Sequence, residues 1–82
     1  MNLIFKNSYR EERAIAEIEN ATEAFDEINK FCKERNYKIP YTRCWEEDNR
    51  IFLDVGSWSE FFIVEPCTFN DWKRMCDEVN ND

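Results

Sequence analysis

Histidine is absent from this chain, glycine occurs once, proline twice, and basic residues are the minority charge. Each shortage removes a class of chemistry. Without histidine, no Ser-His or Cys-His nucleophile pair can form, and a mixed Cys/His zinc site has no imidazole ligands. A single glycine, Gly56, cannot build a loop that cradles phosphates on its backbone. The four cysteines, Cys32, Cys44, Cys67 and Cys76, nowhere show Cys-x-x-Cys spacing, so neither a zinc knuckle nor a thioredoxin-like centre is expected. No metal or other cofactor is called for. With 11 Lys plus Arg against 18 Asp plus Glu, the net charge is −7. The mean field therefore repels phosphate, and direct nucleic-acid binding is disfavoured. No apolar run approaches the length of about 20 residues that spans a bilayer, and MNLIFKNSYREER lacks a basic leader followed by a long apolar core. A cytoplasmic location with no membrane contact is the expectation. There, all four thiols should be reduced, metal-free and buried as small hydrophobes.

What the chain does contain is aromatic: seven Phe, three Trp and three Tyr in 82 residues. That length supports one domain, in which a single core buries only about 60% of the surface its unfolded chain exposes. The densest stretch is Tyr41 to Glu65, YTRCWEEDNRIFLDVGSWSEFFIVE, around which the rest is organised. Tyr41, Arg43 and Trp45 alternate with Thr42 and Cys44, EEDN interrupts, and IFLDV and SEFFIVE resume on either side of Gly56. The pattern predicts a hairpin continuing into a third strand, with Gly56 at a bulge or turn.

Before that stretch, LIFK (3–6) reads as a first strand, NSYREER as a polar connection and AIAEIE (14–19) as a second strand. Asn20 followed by Glu23 is an Asn-x-x-Glu capping box, which starts a helix at Ala21. Ala24, Phe25, Ile28, Phe31 and Cys32 then line one helical face, with Asp26 or Glu27 beside Lys30 as supporting pairs on the other. Asn36 is suited to a left-handed helix end, and Pro40 keeps the helix from restarting. After the sheet, Thr68 is the N-cap of a second helix, whose stripe Phe69, Trp72, Met75, Cys76 and Val79 is expected to be core. The order β-β-α-β-β-β-α predicts an α+β domain: an antiparallel sheet of about five strands with two helices on one face. The other face is then open. Aromatics nonetheless fall on both strand parities, so one of Phe52 and Leu53, and one of Phe61 and Phe62, must point away from the helices.

Asp54 inside IFLDVG calls for a partner, and Arg43 or Arg50 can supply it. Glu46, Glu47, Asp48 and Asp54 near the hairpin are the carboxylates that a carboxylate enzyme could use, yet EED in a hairpin is ordinarily a solvated turn. No catalytic residue is therefore assigned. The candidate contact residues are Tyr41, Arg43, Trp45, Glu46, Glu47, Asp48, Trp58 and Glu60, which put aromatic anchors beside an acidic rim. Trp58, set between Ser57 and Ser59, is the expected anchor.

YTRCWEEDNRIFLDVGSWSEFF, with its YTR-x-W and DVGSWSEFF segments, resembles small proteins encoded by bacterial phages and mobile elements. The resemblance covers the central third and carries over no catalytic residue. It implies a binder that blunts a host defence or redirects a host enzyme, anti-CRISPR proteins being the best-known class by size and charge, acting in the host cytoplasm. The leading expectation is thus a non-enzymatic module that uses an acidic and aromatic sheet face to engage a protein with a basic or groove-bearing surface. Alternatives are a self-associating structural or accessory phage protein, forming a homodimer, and a carboxylate-based enzyme.

Overall fold

The computed structural model describes residues 1–36, 42–56 and 59–80, the side chains of 79 and 80 excepted. Five strands and two helices follow in the expected order: β1 (Asn2–Lys6), β2 (Glu12–Glu17), α1 (Ala21–Glu34), β3 (Arg43–Glu47), β4 (Arg50–Asp54), β5 (Phe61–Glu65) and α2 (Phe69–Asn80). All neighbours are antiparallel, in the spatial order β2-β1-β5-β4-β3. β5 thereby sits at the centre, paired with β1 on one side and β4 on the other, and β2 and β3 form the margins. None of the described helices is long and apolar enough to cross a membrane.

Local chemistry explains the boundaries. β2 lies two residues earlier than AIAEIE suggests, because the β1–β2 turn is tighter than a seven-residue connection. The Asn7 side chain accepts the N–H groups of Tyr9 (2.9 Å) and Glu11 (3.0 Å), and Arg10 turns the chain at φ 66°. Such an Asx-stabilised turn releases Glu12 and Arg13 into the strand. A bulge at Ile15 then shifts the register between Leu3 and Ile4. At the start of α1, Asn20 Oδ1 accepts the Glu23 N–H at 2.9 Å, while Glu23 reaches back to the N–H of Glu19 rather than that of Asn20. The helix ends with Asn36 at φ 61°, its N–H on the Lys33 carbonyl. Pro40, named above as a block to helix, lies outside the described residues. Between β3 and β4, Asp48 and Asn49 have φ 52° and 60°, the two left-handed residues of a tight hairpin turn. Gly56 follows β4 at φ 103° and donates its N–H to Asp54 Oδ1 at 2.9 Å. Thr68 caps α2, its Oγ1 accepting the Asp71 N–H at 3.2 Å.

Both helices cover one face of the sheet. There Leu3, Ile51, Leu53, Phe62 and Val64 meet Ala24, Ile28, Phe31 and Cys32 of α1 and Trp72 of α2, all buried. Phe31 packs against Phe5 (4.6 Å between rings) and edge-on to Phe62 (5.4 Å), and Phe25 packs against Trp72 (5.7 Å).

Two expectations need correction. Phe69 belongs to the helical stripe by spacing but is 42% exposed. As the first residue of α2 it lies where the helix meets the sheet margin, a turn before Trp72 enters the core. Cys44 is also exposed. It faces the helix side by register with Leu53, but β3 is the marginal strand of the sheet, where cover is incomplete. Cys32 and Cys67 are buried and Cys76 is half-buried, and burial pushes all three thiols up from their ordinary range.

Candidate functional site

On the face without helices, strand alternation brings together Ile4, Phe52 and Ile63, which are buried, and Trp45, which packs against them. Trp45 lies nearly parallel to the Phe52 ring (5.7 Å, 7°) and edge-on to Phe61 (5.7 Å, 82°). The parity conflict is thus resolved within one copy of the chain: Phe52 and Phe61 point away from the helices, Leu53 and Phe62 towards them. Long charged side chains complete the cover. Lys6 Nζ stands 5.9 Å and the Arg50 guanidinium 5.7 Å from the Phe52 ring centre, so their aliphatic stems shield apolar surface while their charges stay in water. Among the described residues, only Tyr9 and Phe69 are large hydrophobics left exposed.

The cations of this face are engaged internally. Arg50 joins β2 to β5 across the sheet, with Nε 2.7 Å from Glu65 Oε2 and Nη2 on Glu12 Oε1. Its hydrogen bond holds the Glu12 carboxyl below the usual carboxylate range, and Glu12 in turn raises the Arg50 guanidinium. Arg43 Nη2 reaches Asp54 Oδ2 at 2.6 Å. Asp54 is 2% exposed, and its partner is Arg43 rather than Arg50. A buried carboxylate with a guanidinium and the Gly56 N–H on its oxygens organises the β4 end; it does not form an open acid–base pair.

The carboxylates at the hairpin are different. Glu46 turns to the helix side, where Oε1 accepts the Phe69 N–H at 2.6 Å and so meets the positive end of α2. The turn is tied to the same corner by Cys67 N–H on the Asn49 carbonyl, 2.8 Å. Glu47, on the open face beside Trp45, and Asp48, at the turn, are exposed and have no ion pair among the described residues. The candidate residues therefore divide. Trp45, Glu46, Glu47 and Asp48 gather at the hairpin, with Glu46 on its reverse side. Arg43 and Glu60 sit at the other end of the sheet, separated from the turn by the length of a five-residue strand, about 17 Å. Tyr41 and Trp58 lie outside the described residues.

Sequence reasoning did not single out Phe52, Arg50, Glu12 or Glu65 for this face. The parity of the aromatics pointed to Phe52; the ion-pair bridge had no local signal, since Glu12 and Arg50 are 38 residues apart. Among the described residues, no group of three His, Cys, Asp or Glu side chains is placed to hold a metal ion. Comparison with protein-family models, with curated proteins and with solved structures gave no match.

Proposed function

We propose that this protein is a non-enzymatic binding module that engages a basic surface of a partner protein through the β3–β4 hairpin. Trp45 is the anchor, and Glu47 and Asp48 form the acidic rim. The observation that carries this reading is an imbalance of charge on the open face: Lys6, Arg43 and Arg50 lie over a ring or against carboxylates, whereas Glu47 and Asp48 have no cation within ion-pair distance among the described residues. Exposed carboxylates next to a half-buried indole combine steering charge with desolvatable area. A net charge of −7 adds to the attraction of a basic partner. The phage-type resemblance suggests a host defence protein as the partner. Self-association draws less support, because the aromatics on both strand parities are consumed by the second cluster of a single copy.

The test is affinity capture from host extract with the wild-type chain and with Trp45→Ala and Glu47→Lys/Asp48→Lys variants. A specific partner should be retained by the wild type, released by moderate salt and lost by both variants. Equal capture by all three would remove the hairpin from consideration.

A further inference from the structure

We infer that the groove between the marginal strand β2 and helix α1 receives an extended segment of a partner protein, added as a strand along β2, with one Asp or Glu side chain held between Arg13 and Arg35. This site is separate from the hairpin and does not rest on its proposed role.

Among the described residues β2 pairs with β1 alone, so alternate backbone N–H and C=O groups of its outer edge face outward, ready for another strand. The bulge at Ile15 limits the straight part of that edge to Glu12–Ala14, which is exposed. Beside it lie two adjoining cavities. One, of about 470 Å³, extends along Ile15, Lys30 and Phe31; the other, of about 410 Å³, reaches Phe5, Asn7 and Glu11. Arg13 and Arg35 line both and so mark the waist of one continuous groove.

The two arginines are placed by the packing beneath them. Arg13 is in register with Phe5, whose ring contacts Phe31 at 4.6 Å, and the Arg35 guanidinium lies 3.6 Å above the Phe31 ring. Stacking uses the face of a guanidinium and leaves its N–H edge available for a bidentate acceptor. Neither arginine makes an ion pair or a side-chain hydrogen bond with any described residue, although Glu11, Glu12, Glu27 and Glu34 line the same groove. Of these, Glu12, the nearest in sequence to Arg13, has its carboxylate engaged by Arg50. The groove thus carries two arginines without ion pairs at its waist, among carboxylates from both elements. That pattern accommodates a single acidic side chain in the middle of a neutral extended segment, and disfavours a run of acidic ones.

Titration of the isotopically labelled full chain with the peptide acetyl-Thr-Val-Thr-Glu-Thr-Val-Thr-amide, followed by amide NMR, tests the assignment. Amides of β2 and of residues 30–35 should shift. Replacing the peptide's Glu by Gln or Lys should weaken binding about tenfold or more, as loss of a charge-assisted hydrogen bond requires. Arg13→Gln and Arg35→Gln, both surface changes, should abolish the difference between the Glu and Gln peptides. A peptide with alternate amides N-methylated should not bind. Equal affinity of the Glu and Gln peptides, undiminished binding of the N-methylated one, shifts confined to the hairpin, or no shift at millimolar peptide would each overturn the proposal.

Discussion

The two faces of this sheet are built from the same strands, yet they bury their apolar residues by different means. On the helix side, Leu3, Leu53, Phe62 and Val64 are sealed by Ile28, Phe31 and Trp72, each filling space that nothing else can fill. On the open side, Ile4, Phe52 and Ile63 are covered by one indole and by the stems of Lys6 and Arg50. The first arrangement is a close-packed interior, where removed volume leaves a void. The second is one side chain thick, and water can enter wherever an atom is removed. The helix face therefore supplies stability, while the open face can expose charge and an aromatic edge at modest cost.

Substitutions should separate the two. Leu53→Ala and Trp72→Ala, at fully buried positions, should each lower unfolding free energy by about 2–5 kcal/mol in denaturant titrations, the sum of a transfer and a cavity contribution. Phe52→Ala on the open face should cost less, about 1.5–3 kcal/mol, because water replaces the ring and only the transfer contribution remains. A cost for Phe52→Ala equal to that for Leu53→Ala would show that the open face is as tightly closed as the other. Trp45→Ala should cost about 1–2 kcal/mol from the lost ring pairings and the half of the indole that is buried, and Phe69→Ala, at the exposed start of α2, should lie within about 0.5 kcal/mol of wild type.

Thiol chemistry sharpens the same contrast. In native protein, Cys44 should react with a disulfide reagent at the rate of an exposed thiol, whereas Cys32 and Cys67 should react only at the rate of opening. Protonation gives the smallest effects. The Glu12 carboxyl is lowered by Arg50, so its contribution is present above the ordinary carboxylate range and disappears as pH falls through the lowered value. The amount is that of a partly exposed pair, about 0–1 kcal/mol. Cys32, Cys67 and Cys76 are raised and run the other way. Their unfolded-state thiols ionise first, so stability should decline as pH climbs past the ordinary thiol range. Glu12→Gln should flatten the acid limb, and Cys67→Ala the alkaline one.

The contrast also explains what could be read from the chain in advance. Helix caps, the left-handed Asn36 and the hairpin turn are local, and Asn20, Thr68 and the EEDN segment carry them within four residues. Strand parity showed that Phe52 and Leu53 must part company. It did not show what would cover Phe52, because Arg50 could pair with Glu47 across the hairpin, Asp54 along the strand, or Glu12 from the far margin; only the spatial order β2-β1-β5-β4-β3 selects Glu12 and Glu65. Glu46 was grouped with Glu47 by adjacency, although adjacent residues of a strand face opposite ways, and the structure turns Glu46 to α2. Phe69 followed the helical period but stands at the end of α2, where period no longer implies a neighbour. The groove at Arg13 and Arg35 had no signal of its own, since a marginal strand and a helix end 22 residues apart meet there only through the fold.

The central claim is that stability resides on the helix face and recognition at the hairpin of the open one. It is tested most directly by measuring the thermal midpoint and partner capture side by side for Leu53→Ala and for Glu47→Lys/Asp48→Lys. The account predicts that Leu53→Ala lowers the midpoint by several degrees and, below it, captures as well as wild type, while the charge-reversed hairpin loses capture even well below its midpoint, which falls only by the small cost of a lysine at the left-handed Asp48 position. A hairpin variant that captures normally, or one whose lost capture only follows a lowered midpoint, would contradict it.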